Sequence, residues 1–96
     1  MNEHNTLKIR EALRGFLRSY NLEHKLVETD LKENWSDWVG KRIAKHTNDI
    51  SFKNGRLTVF LDSAVVKHQL SMKKQAMLDH LNKKLEGRPL REVQIR

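Results

Sequence analysis

NDISFKNGRLTVFLDS, residues 48–63, reads as two short strands folded back on a two-residue turn. Asn54-Gly55 sits between alternating apolar residues, and a type I′ turn needs positive φ at both central positions. That turn sets a register in which Lys53 faces Arg56, Phe52 faces Leu57 and Ile50 faces Val59. The last two pairs share one face with Leu61, and that face is the one to be buried. Ser51, Lys53, Arg56, Thr58 and Phe60 point the other way. Phe60 is the odd member of this second face. Cover by a helix end or a dimer contact explains it most simply, since isolated exposed apolar side chains are common. An aromatic among basic residues on an open sheet also offers a base a place to stack.

Downstream, the pattern predicts a helix over about 64–86, N-capped by Asp62 or Ser63, with Val66, Leu70, Met77, Leu78, Leu81 and Leu85 on its apolar face. Lys74 projects into the middle of that arc. Snorkelling or pairing with a carboxylate is the simpler account; a basic pocket at a helix–helix junction, with Lys67 nearby, is the other. Gly87 and Pro89 stop the helix. Leu90 to Arg96 ends the chain as a strand with Val93 and Ile95 inward.

Upstream, a helical pattern runs from Leu22 to His46, with Leu22, Leu26, Val27, Leu31, Trp35, Trp38, Val39 and Ile43 on one broad face. Asp30 with Glu33 allows a fresh start near 28–30. Trp35 and Trp38 lie inside the apolar arc, so core packing outweighs a role as a stacking platform. Lys41, Arg42 and Lys45 follow on its flanks. Gly40 falls on the opposite face, where a missing side chain permits close approach by a neighbour. A first helix over about 5–20 carries Leu7, Leu13, Phe16, Leu17 and Tyr20 at helical spacing. Arg10, Arg14 and Arg18 recur every fourth residue on another of its faces. They make either a solvated stripe or a phosphate-contacting one, since the guanidinium suits phosphate.

The expected order is helix, helix, hairpin, helix, strand. A three-stranded sheet with helices packed on one face buries every apolar stripe and leaves the other sheet face open, a small α+β layer architecture. Residues 1–96 form a single domain, with 1–21 as an N-terminal helix, packed or swinging free, and 22–96 as the core.

Charge narrows the partners. Nineteen Lys and Arg against 12 Asp and Glu leave a net charge of +7, which favours polyanions. The charges are dispersed, as on a folded basic surface rather than a disordered basic tail. No cysteine is present, so disulfides and thiolate metal sites are excluded and no oxidising compartment is required. No apolar run reaches the ~18 residues of a membrane span. The charged start MNEHNTLKIRE lacks a signal-peptide core, making the cytoplasm the expected location.

Catalytic patterns are missing. His4, His24, His46, His68 and His80 include no i, i+4 pair and no HExxH. Ser63 and Ser71 lie in no nucleophile elbow. Gly40-Lys41 lacks the upstream glycine of a phosphate loop. No catalytic residue, metal ligand or cofactor is nominated, and the expectation is a non-enzyme.

A set of ordered motifs goes further. Trp35-x-x-Trp38-Val39-Gly40, Ile43-Ala44-Lys45-His46-Thr47, Asn54-Gly55-Arg56-Leu57-Thr58-Val59, then Gln69-Leu70-Ser71 with Lys74, Leu78 and Leu81-Asn82, resemble the DciA family over roughly Leu22 to Arg96. Trp38 stands where that family usually has an aliphatic residue, a change the apolar arc tolerates. The resemblance implies a bacterial domain similar to the K-homology fold, one that binds DNA and assists loading of the replicative DnaB-type helicase. The GxxG clamp of true K-homology domains is absent, so that mode of RNA binding is not implied. Longer members carry a further, largely disordered segment, whereas this sequence ends at Arg96; a short member with a narrower or different task is expected.

Three functions follow as expectations. The first is a nucleic-acid-binding accessory of DNA replication, gripping phosphates through Arg10, Arg14, Arg18, Lys41, Arg42, Lys45, Lys53, Arg56, Lys73 and Lys74, with Phe60 as a stacking candidate. Here Trp35, Trp38, Gly40, Asn54 and Gly55 are structural. The second is a protein–protein adaptor whose basic rim surrounds an apolar patch and meets an acidic partner. The third differs in substrate only: an RNA- or ribosome-associated protein.

Overall fold

The computed structural model describes residues 3–20 and 22–96; for residues 3–5 and 7 it describes the backbone alone, so the side chain of Leu7 lies outside it. Eight elements follow in order: α1 (Glu3–Ser19), α2 (Glu23–Val39), α3 (Lys41–Lys45), β1 (Thr47–Lys53), β2 (Arg56–Leu61), α4 (Ala64–Ser71), α5 (Lys74–Lys84) and β3 (Glu92–Ile95). The α+β class, the chain order and the three-stranded sheet are those expected, with two of the helices broken.

The hairpin forms in the predicted register, Lys53 with Arg56, Phe52 with Leu57 and Ile50 with Val59. Asn54 (φ 52°) and Gly55 (φ 80°) both take the positive φ that the turn demands. An irregularity between Thr47 and Asp49 leaves Asn48 as an extra residue at the start of β1. β2 is the central strand and β3 runs parallel to it, Leu57 beside Val93 and Val59 beside Ile95. The Gly55 carbonyl accepts from the N–H groups of Arg91 (2.8 Å) and Glu92 (3.2 Å), so the hairpin turn itself sets where β3 begins.

One face of this sheet carries the core. Ile50, Phe52, Leu57, Val59, Leu61 and Val93 are buried against Leu31 and Trp35 of α2, Val66 and Leu70 of α4, and Met77 and Leu81 of α5. Trp35 is 6% exposed and donates its indole N–H to Thr47 Oγ1 at 3.0 Å, while that hydroxyl donates to the Ile43 carbonyl at 2.7 Å. Trp38 is half-buried and packs on the same cluster. Both indoles are therefore packing groups. Asn82, also buried, donates to the Leu90 carbonyl and accepts from the Leu90 N–H, both at 2.9 Å, fastening the approach to β3.

Five expectations are corrected. The long second helix breaks at Gly40 and runs unbroken through Asp30. Gly40 has φ 92° and ψ 155°, and no atom stands where its Cβ would be. It is needed for a backbone conformation almost confined to glycine, not for close approach by a neighbour. The 64–86 helix is two helices broken at Met72 and Lys73, with Ser63 as its N-cap through a 3.2 Å bond from the Val66 N–H. That break turns Lys74 out of the apolar arc and into solvent. Finally, most of the described apolar stripe of α1 faces solvent, with Leu17 half-buried. Leu13 and Phe16, with Ile9 and the following Tyr20, are exposed, the Phe16 and Tyr20 rings in tilted contact with centroids 4.9 Å apart. Its arginine face meets the body instead, Arg10 pairing with Asp30 and Arg14 with Glu86, each at 2.7 Å. Two charge-assisted contacts orient the helix where its apolar stripe was expected to do so.

Candidate functional site

The sheet face opposite the core is open. Strand alternation projects Ser51 and Lys53 from β1 and Arg56, Thr58 and Phe60 from β2 onto it. β3 adds Glu92, Gln94 and the following Arg96, and together these side chains with Asn54 line a cleft of about 390 Å³. The pairing places Thr58 between Ser51 and Gln94, and Arg56 between Lys53 and Glu92. Arg96 is held by its own backbone: its N–H donates to the Val59 carbonyl (2.8 Å) and its carbonyl accepts from the Leu61 N–H (3.0 Å), flanking Phe60. Phe60 is half-buried within this setting.

The cleft is electropositive and offers mixed hydrogen-bonding groups. Arg56 is paired with Glu92 at 3.1 Å. Lys53 and Arg96 have no carboxylate within ion-pair distance among the described residues. Hydroxyls and amides from Ser51, Thr58, Asn54 and Gln94 fill the spaces between cations. Such a surface is chemically suited to phosphates through its charge and to a base through the ring face, with hydrogen-bonding groups for sugar and base edges.

The expected contact residues fall in three places. Lys53, Arg56 and Phe60 meet on the open sheet face. Arg42 and Lys73 meet across a separate groove between α3 and the α4–α5 break, with Lys41, Lys45 and Lys74 exposed on the same elements. Arg10 and Arg14 are bound to Asp30 and Glu86 in a cleft shared with Asn34, Trp38 and Lys84, and Arg18 is exposed in the last turn of α1. Arg96 and Gln94 were missed as members of the sheet-face group. The alternation of REVQIR, with Val93 and Ile95 inward, already turned them outward; their adjacency to Phe60 depends on β3 pairing with β2.

Glu28 protects the outer edge of this sheet. Its Oε2 accepts from the Phe52 N–H at 3.0 Å, filling a position that an edge strand leaves vacant. That backbone bond, with Lys32 at 3.4 Å, holds the Glu28 carboxyl below its ordinary pKa against the opposing effect of burial. Among the described residues, no helix is long and apolar enough to cross a membrane.

A family model described as "Dna[CI] antecedent, DciA" matches residues 8–95. No curated protein and no solved structure matches the chain. The likeness to the K-homology fold accordingly stays an expectation.

Proposed function

Because the chain belongs to the DciA family, we propose that it is a non-catalytic accessory of the bacterial replicative helicase, working in the cytoplasm, and that it holds single-stranded DNA on the open face of its sheet. The observation that carries this reading is the setting of Phe60: a half-buried ring in a cleft with Lys53, Arg56 and Arg96. The cations supply affinity without sequence preference, and the ring accepts any base. A single strand fits such a face because its bases are free to turn onto the ring, whereas the base faces of a duplex are already stacked on one another. Family membership supports the helicase half of the reading.

Fluorescence anisotropy with a labelled oligothymidylate tests the first half. With roughly three phosphate contacts, log affinity should fall with log salt at a slope of about −2. Phe60→Ala should weaken binding roughly fivefold or more at unchanged slope, since stacking is insensitive to salt. A salt-independent titration, or no binding in dilute buffer, counts against it. RNA of matched length, used as competitor, settles the choice of strand chemistry. Co-purification with the cognate replicative helicase, with and without DNA, tests the second half.

A further inference from the structure

The groove between α3 and the α4–α5 break has a composition unlike that of the sheet face. Its volume is about 370 Å³. Val66 and Leu70, both buried in the core, form its floor together with half-buried Ile43. Met72 stands at the rim, 74% exposed, and neighbouring Val65 is also exposed. Arg42 donates to the Gln69 side-chain carbonyl, and both line the groove together with Lys73.

No carboxylate lines this groove. Lys41, Lys45, Lys67, Lys73 and Lys74 surround it in sequence, on α3, on α4 and at the α4–α5 break. None of them, nor Arg42, has a carboxylate within ion-pair distance among the described residues. An apolar slot with an exposed methionine and an uncompensated cationic rim is complementary to an anionic ligand that also carries an apolar anchor. Nucleic acid carries no flexible aliphatic side chain to serve as that anchor. The floor offers aliphatic carbon where a base edge needs hydrogen-bond partners, and Phe60 lies in the other cleft. A second copy of the chain carries the same +7 charge, which opposes its docking here.

We propose that this groove docks an acidic peptide segment of a partner protein, seating one or two bulky apolar side chains on Val66, Leu70 and Ile43 while its carboxylates meet Arg42 and Lys73. Met72 closes over the anchor, its unbranched side chain adapting to the shape it meets. The site is distinct from the DNA-binding face and does not depend on it.

The test uses the full chain and a labelled peptide of about six aspartates followed by Leu-Phe. Two control peptides replace the aspartates by asparagines or the Leu-Phe pair by glycines. Binding of the parent peptide should exceed each control by roughly tenfold, because anchor and charge both contribute. Arg42→Glu with Lys73→Glu should weaken the parent by at least about tenfold, and Met72→Asp by about fivefold. All three positions are exposed, so circular dichroism should report an unchanged fold. Amide shifts on peptide addition should centre on Ile43, Val66, Leu70 and Met72. Equal binding of the glycine control would show that charge alone acts, and shifts centred on Lys53 and Phe60 would place the peptide on the sheet face; either overturns the proposal. So would displacement of the peptide by oligothymidylate from the wild type and from a Phe60→Ala, Arg96→Glu variant alike. Failure here leaves oligothymidylate binding at the sheet face unaffected, so the two readings fail separately.

Discussion

Replacing Asn82 by alanine should be among the costliest single changes in the molecule. Asn82 is 4% exposed, and its amide both donates to and accepts from the backbone of Leu90, itself buried, at 2.9 Å in each direction. Alanine removes both hydrogen bonds and leaves a buried N–H and a buried C=O without partners, at about 1–3 kcal/mol each. Partial relaxation toward water brings the expected loss to about 3 kcal/mol. For a domain of this size that lowers the melting temperature by roughly 12–24 °C. Urea denaturation followed by circular dichroism should show the midpoint fall at unchanged m, since the native state stays as compact. Asn82→Asp separates the two bonds. It keeps the acceptor for the Leu90 N–H but sets an oxygen against the Leu90 carbonyl. Its deficit relative to the wild type should shrink as the pH falls, because burial raises the carboxyl's pKa and the protonated group becomes a donor. A loss under about 1 kcal/mol for alanine, or an aspartate variant with no pH dependence, would refute the idea that this amide fastens the chain leading into β3.

Glu28→Gln tests the sheet edge: the Glu28 pKa is lowered in the folded state, so its stabilisation is present above the unfolded pKa and is lost as pH falls through the folded value. Thermal melts should therefore show a gap between wild type and variant at neutral pH that closes in acid, below the ordinary carboxylate range; a gap that widens in acid would be wrong in sign. Gly40→Ala should cost about 1–3 kcal/mol, because φ 92° and ψ 155° suit glycine almost alone; a neutral result in urea denaturation would mean that α2 and α3 join without strain. Arg10→Glu with Arg14→Glu breaks the ion pairs to Asp30 and Glu86, so chymotrypsin, whose sites at Leu13, Phe16 and Tyr20 the substitutions leave intact, should cut within and just after α1 several-fold faster while the stability of the sheet core shifts by less than about 1 kcal/mol.

The hairpin was legible because its information is local. Asn54-Gly55 allows one turn, and strand alternation then settles which side of each strand is apolar. Trp35 was legible for a related reason, lying amid aliphatic residues at helical spacing. Gly40 and the Met72–Lys73 break were harder: apolar periodicity continues across both, and only backbone conformation shows that the helix stops. Gly40 was an available signal, read for its missing side chain when its φ was what mattered. The orientation of α1 was not legible. Ile9, Leu13, Phe16 and Tyr20 form an apolar stripe that ordinarily faces a core, and what turns it outward is the position of Asp30 and Glu86, 20 and 72 residues away from their arginines in sequence. The same limit applies to the candidate site. Lys53, Arg56 and Phe60 follow from the hairpin alone, but Arg96 joins them only through the parallel pairing of β3 with β2, and the separation of Arg42 and Lys73 into a groove of their own depends on how α3 meets the α4–α5 break.

The central claim is that single-stranded DNA lies on the open sheet face. An amide chemical-shift map of the full chain titrated with an oligothymidylate of about ten nucleotides tests it most directly. The account predicts that the largest changes fall on Ser51, Lys53, Thr58, Phe60, Gln94 and Arg96, and that they shrink in the Phe60→Ala variant. Changes confined to α1, or to the groove around Arg42 and Lys73, would contradict it.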